Sequence, residues 1–244
     1  MHSKRLSLTW LLLASIATSP LQANPEEELI FNIQFKILGL ETASKDLVYF
    51  TEGQRKPVEF FFMPSFLSPE YAYTGPSPLI FYRPTDNEEE PYQPVAMLDI
   101  KPGQKDLLLF FIQNQAEPGR PEFTVTAFNF GKEAFPLGSY YLFNLTPYPI
   151  GAVLGKTRDG LMPNQSKIIT PDPGEERLMR AEFYAYDNDR GWRQKAISGW
   201  PHRDNQRVIT ILFINNDRRE SLRIHSVIDY PPYVRPNQAN NPPK

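Results

Sequence analysis

The 244-residue chain contains no cysteine. That absence excludes disulfide scaffolds, thiolate metal sites, thiol nucleophiles and a lipidated N-terminal cysteine. Histidine is nearly as scarce, and beyond the first residues only His202 and His225 remain. Without His-Glu-x-x-His, His-x-His or a thiolate, zinc and copper sites have too few ligands unless carboxylates supply them. Gly-x-Ser-x-Gly, Gly-x-x-x-x-Gly-Lys-Ser/Thr and Gly-x-Gly-x-x-Gly are missing too. These gaps lead to the expectation of no catalytic residue, no metal and no cofactor. Positive charge is not in excess, because 26 Lys+Arg stand against 28 Asp+Glu. Nucleic acid and anionic membrane both reward clustered positive charge and are not expected partners. No stretch reaches the roughly 18 unbroken apolar residues of a membrane helix. Even Leu107-Leu-Leu-Phe-Phe-Ile112 stops at Gln113.

What is abundant is proline and aromatic side chains. The 25 prolines are twice the roughly 12 of average usage, and aromatics make up 13% of the chain. So aromatic a chain has the apolar groups to offset its ordering entropy and fold. The N-terminus carries Lys4 and Arg5, a short apolar run over 6–16, then Pro20 and Ala23. That order predicts a signal peptide over 1–23, cleaved after Ala23, because the apolar stretch is short for a span; an uncleaved anchor is the alternative. The expected location is the bacterial periplasm or exterior, and not as a lipoprotein, since an exported eukaryotic chain would more often carry disulfides. Asn144-Leu-Thr146 and Asn164-Gln-Ser166 match the glycosylation triplet, which has no meaning in a bacterial setting.

From Leu29 onward, short apolar blocks alternate with Pro, Gly, Asn and Asp, the pattern of an all-β chain. Strands are predicted over 30–37, 46–50, 58–62, 79–82, 95–100, 107–112, 123–128, 140–145, 150–154, 167–170, 178–186, 192–198, 208–214 and 222–228. No apolar stripe of helical period competes with them. The runs 107–112 and 208–214 are apolar on both faces, which marks interior strands of a sandwich. Each is followed by a polar loop and an alternating strand. A second echo sets Ile100-Lys-Pro-Gly against Leu161-Met-Pro-Asn. The echoes do not occupy equivalent places, so they read as common turn chemistry and not as duplication. The fold class is all-β, as two tandem immunoglobulin-like β-sandwich modules over 24–134 and 135–232, followed by a disordered tail over 233–244. One large β-sandwich is the alternative.

Residues 178–198 read as a hairpin with Asn188-Asp189 as a two-residue turn. That register places Ala185 opposite Trp192, Glu182 opposite Lys195 and Tyr184 opposite Arg193. It puts Trp192, Gln194, Ala196 and Ser198 on the inner face beside Met179, Ala181, Phe183 and Ala185.

The run Phe135-Pro-Leu-Gly-Ser-Tyr-Tyr-Leu-Phe-Asn-Leu145, followed by Leu161-Met-Pro163, resembles uncharacterised exported bacterial β-sandwich proteins. In those, a Phe-Pro-x-Gly turn leads into an aromatic strand ending in Asn-Leu. The resemblance implies fold and export; it brings no activity and no catalytic residues.

The positive lead is aromatic. Trp192 lies in the hairpin with Tyr184 and Tyr186, Trp200 follows it, and His202 sits in the polar loop Gly199-Trp-Pro-His-Arg-Asp204. Flat rings stack on the apolar face of a pyranose, whereas core packing is the commoner use of aromatics in β-proteins. Tyr71, Tyr73, Tyr82 and Tyr92 form a second candidate platform. The reading is an exported non-enzymatic β-sandwich protein, a structural or interaction module of the cell envelope with an envelope protein or polysaccharide as partner. Its alternative is a carbohydrate-binding module using Trp200, Trp192 and the neighbouring tyrosines. A hydrolase with dispersed carboxylates comes last.

Overall fold

The computed structural model describes residues 29–40, 42–175, 178–214 and 221–230. The expected leader over 1–23 and the tail over 233–244 lie outside them. The first sheet runs in the order β4 (Tyr71–Gly75), β1 (Phe31–Leu40), β7 (Asp106–Gln113), β8 (Phe123–Asn129). The second runs β3 (Val58–Phe62), β2 (Ser44–Tyr49), β5 (Leu79–Pro84), β6 (Tyr92–Leu98). Between them lies an aromatic core that includes Tyr49, Phe62, Phe81 and Phe111. The third sheet is β12 (Ser166–Ile169), β9 (Tyr140–Asn144), β15 (Arg207–Ile214), β16 (Leu222–Asp229). The fourth is β11 (Thr157–Leu161), β10 (Ile150–Leu154), β13 (Met179–Asp187), β14 (Gly191–Trp200). Leu142, Ile150, Phe183 and Leu212 fill the space between these two. The chain is all-β, folded as two tandem β-sandwiches, and no helix among its described residues is long and apolar enough to cross a membrane.

A third core joins the sandwiches. Leu38, Leu108 and Phe110 of the first sheet pack with Tyr141, Phe143, Ile209 and Ile211 of the third, and Phe130 and Phe135 close the margin. Phe110 and Phe143 sit 4.6 Å apart across this seam. The sheets therefore stack second, first, third, fourth. This changes the reason for the doubly apolar runs in β7 and β15. A strand inside a lone sandwich buries one face, and these bury two because each sandwich covers the other's outer side.

The second sandwich repeats the first strand for strand. Adding eight to each label of the first two sheets yields the last two, and β1 with β7 and β9 with β15 are the parallel pairs. The repetition reaches individual residues. Tyr82 faces Pro94 and Phe81 faces Ala96, stepping over Val95. Tyr184 faces Gln194 and Phe183 faces Ala196, stepping over Lys195. The echo of 107–112 and 208–214 falls on equivalent strands, contrary to the sequence reading. The proline-turn echo does not, since it precedes β7 in one half and β12 in the other.

Every predicted run overlaps a strand. The two strands that were missed, β4 and β11, are sheet edges. Edges bury little and need no apolar alternation, and Thr157-Arg-Asp-Gly-Leu161 has none. The stretches that carry the family resemblance meet at one side chain. Buried Asn144 donates from Nδ2 to the carbonyls of Tyr148 at 2.8 Å, Met162 at 3.1 Å and Leu161 at 3.2 Å. The Asn-Leu and Leu-Met-Pro elements are two sides of one clamp. With its amide nitrogen so committed, the Asn144 triplet is structural and offers no acceptor.

Candidate functional site

The outward face of the fourth sheet gathers exposed aromatics around a polar network. Its geometry follows from the β13–β14 hairpin, whose turn holds three residues and not two. Arg190 N–H donates to the Asp187 carbonyl at 3.2 Å, and Asp189 N–H donates to Asp187 Oδ1 at 2.9 Å. Gly191 then takes φ 68°, a left-handed conformation that glycine adopts without strain. The extra loop residue moves every pairing on β14. Trp192 faces Tyr186 and not Ala185, Arg193 faces Ala185, and Gln194 faces Tyr184. The expected Glu182–Lys195 pair does not form, since Glu182 lies opposite Ile197. Met179, Ala181, Phe183 and Ala185 are buried as expected. Trp192 is not beside them, because a one-residue shift carries a strand's side chains to the other face.

Trp192 is therefore outward, 55% exposed, and joined to Tyr186 by an edge-to-face contact at 5.3 Å. Its ring reaches across β13 to β10, where a Cβ added to Gly151 would lie 3.4 Å from the indole. Gly151 pairs with Tyr184 on one side and Gly160 on the other. The missing side chain at Gly151 leaves room for the edge of the indole over β10. Ile197, 57% exposed, extends the apolar surface along β14.

The polar half of this shelf centres on Glu182, which is buried although it faces outward. Neighbouring side chains cover it. Tyr184 donates its hydroxyl to Oε2, Gln194 Nε2 donates to the same oxygen at 3.2 Å, and Arg180 Nε pairs with Oε1. The Tyr184 hydrogen bond, with Arg180 beside it, holds the Glu182 carboxyl below its usual range. The same bond pushes the Tyr184 phenol up. A carboxylate so held is an acceptor at neutral pH and a poor general acid.

Comparison with known proteins finds no matching family model and no matching curated relative. The chemistry of the shelf has to be read from its own residues.

The five residues singled out from the sequence divide into two groups. Tyr184, Tyr186 and Trp192 come together on the shelf. Trp200 and His202 do not. The unpaired Lys195 reverses the alternation along β14, so that Trp200 turns inward. It stacks on Tyr140 at 5.8 Å and lies 5.5 Å from Phe183, inside the sandwich. The His202 ring lies 6.0 Å from the other member of that stack, Tyr140, and its Nε2 faces Asp204 Oδ1 at 3.2 Å. Burial pushes the Tyr140 phenol up to about 12. Trp200 and His202 are lodged where the second core closes.

The second tyrosine platform also splits. Tyr73 is buried and donates to the Pro76 carbonyl, and Tyr71 packs on Phe35 and Phe60. Tyr82 and Tyr92 instead cluster with exposed Phe50, at 5.5 and 5.1 Å. Sequence reasoning passed over Glu182 as a hub, along with Arg180, Gln194 and Gly151. The glycine inside a strand was the available signal. Among the described residues no group of three or more His, Asp or Glu side chains could hold a metal ion.

His225 lies on β16 opposite Ile211, at the margin of the core between the sandwiches. Its Nε2 is buried without a hydrogen-bond partner, and burial lowers its pKa. The neutral ring is thus favoured in the fold, whereas the unfolded chain takes up its proton near pH 6.5. Stability should fall as pH drops below about 6.5 until the folded pKa is passed. Thermal unfolding of wild type and His225→Gln across pH 5–8 checks this, the variant being the flatter of the two.

Proposed function

We propose that the protein is an exported, non-enzymatic envelope protein that binds polysaccharide on the outward shelf of its fourth sheet. The observation that carries this reading is the outward Trp192 indole, 55% exposed and reaching over Gly151 beside a polar network. Hydroxyl groups of a stacked sugar have partners beside it in the Arg180, Tyr184 and Gln194 side chains. A flat ring with a polar rim fits a pyranose, which is apolar on its face and polar at its edge. Glu182 supports binding over hydrolysis, because its proton is held off by three donors.

The test is pull-down and calorimetry on a panel of bacterial and plant polysaccharides. Trp192→Ala should weaken binding about 30-fold, the effect of about 2 kcal/mol from losing an aromatic hot spot. Trp200→Ala, if it folds, should leave binding intact, since that ring is inside. Binding by no polymer, or equal binding by wild type and Trp192→Ala, overturns the proposal.

A further inference from the structure

The proposed shelf has a charge that its internal pairs leave over. Arg158 on β11 faces Val153 of β10, and Val153 in turn faces Glu182 of β13. Arg158, Val153, Glu182 and Ile197 thus form one row across the outer face, adjoining the row of Gly160, Gly151, Tyr184 and Gln194. Arg180 and Glu182 neutralise one another by direct contact. Arg158 is exposed and makes no side-chain hydrogen bond or ion pair among the described residues. Its charge, with that of Arg180, reaches the Tyr184 phenol. The nearby acid Asp159 is taken by Lys167 at 2.6 Å. Asp187 and Asp189 sit at the hairpin turn, beyond Trp192, where Asp187 Oδ1 accepts the Asp189 amide. The glycine end of the shelf therefore keeps one uncompensated guanidinium on a protein whose formal net charge is −2.

Resting on the polysaccharide reading, we infer that the ligand is a uronic-acid polysaccharide, with Arg158 receiving a sugar carboxylate while Trp192 takes a pyranose face. A guanidinium matches a carboxylate with two parallel donors, which gives selectivity as well as affinity. Nothing is bonded or cleaved; the interaction is recognition alone.

Full-length protein is titrated with polygalacturonate and alginate, with a sulfated polymer, and with neutral xylan and mannan, at low and at 1 M salt. Uronate polymers should bind most tightly, and the preference should shrink in 1 M salt, where the Debye length is about 3 Å. Arg158→Gln should lose about tenfold on uronate polymers with neutral polymers unchanged, and Arg158→Lys should recover part of the loss. Unfolding midpoints of both variants should match wild type, since Arg158 is exposed and makes no side-chain hydrogen bond or ion pair among the described residues. Equal binding of neutral and uronate polymers, preference for the sulfated polymer over uronate, or an Arg158→Gln variant as selective as wild type overturns the inference and leaves the shelf standing. Failure of every polymer to bind overturns the polysaccharide reading itself.

Discussion

Asp229→Ala should destabilise the protein by about 3–5 kcal/mol, the usual cost of removing one partner from a buried ion pair. Asp229 is 3% exposed and Arg207 7% exposed at the seam between the sandwiches. Arg207 donates from Nε to Asp229 Oδ2 at 2.9 Å, and its second terminal nitrogen bonds the same oxygen. Lys36, from the first sandwich, reaches Asp229 Oδ1 at 2.7 Å. Arg207 also donates to the carbonyls of Phe130 at 2.8 Å and Phe135 at 3.1 Å, and its guanidinium lies 4.3 Å from the Phe130 ring centre. Removing the carboxylate leaves two cations facing one another in the seam. Removing Arg207 as well should restore part of the loss, since the uncompensated charge goes with it. Urea unfolding of Asp229→Ala, Arg207→Met and the double variant forms the cycle. A single-variant loss under about 1 kcal/mol, the range of an exposed pair, would place these groups in water instead.

Asn144→Ala should cost about 3 kcal/mol or more, and Asn144→Asp at least as much. The side chain is fully buried. Its Nδ2 serves three carbonyls, and its Oδ1 accepts from Thr146 N–H at 3.0 Å and from Thr146 Oγ1 at 2.7 Å. Alanine strands acceptors and donors together, at about 1–3 kcal/mol for each buried group left unmade. Aspartate keeps the acceptor side but turns a second oxygen toward carbonyls that need a donor. That ordering separates a hydrogen-bond clamp from mere space filling, because aspartate and asparagine have nearly the same volume. Urea midpoints decide it, and an Asn144→Asp variant as stable as wild type would dismiss the clamp.

The site was partly legible beforehand, and the division follows which signals are local. Tyr184, Tyr186 and Trp192 attracted attention as aromatics beside a turn. Their common face was hidden, because it depends on one extra residue between Asp187 and Gly191. Trp200 was a candidate alongside them, with Gly199 and Pro201 beside it. The bulge at Lys195 reverses its direction, and no composition rule marks that bulge. Arg158 lay in a strand that had not been seen, since Thr157-Arg-Asp-Gly-Leu161 carries no apolar alternation.

The sequence by itself determined the all-β class, nearly every strand, and the inward side of β13, since alternation records which face of a strand is dry. It left undetermined what makes the other face dry. In β7 and β15 the second cover is the other sandwich, brought there by strands that lie far away in the sequence. Only the tertiary structure decided that the sandwiches stack, that their topologies repeat, and that Trp192 looks outward while Trp200 looks in. Periodicity is a property of a strand alone; pairing register and the packing of sheet on sheet are properties of its partners.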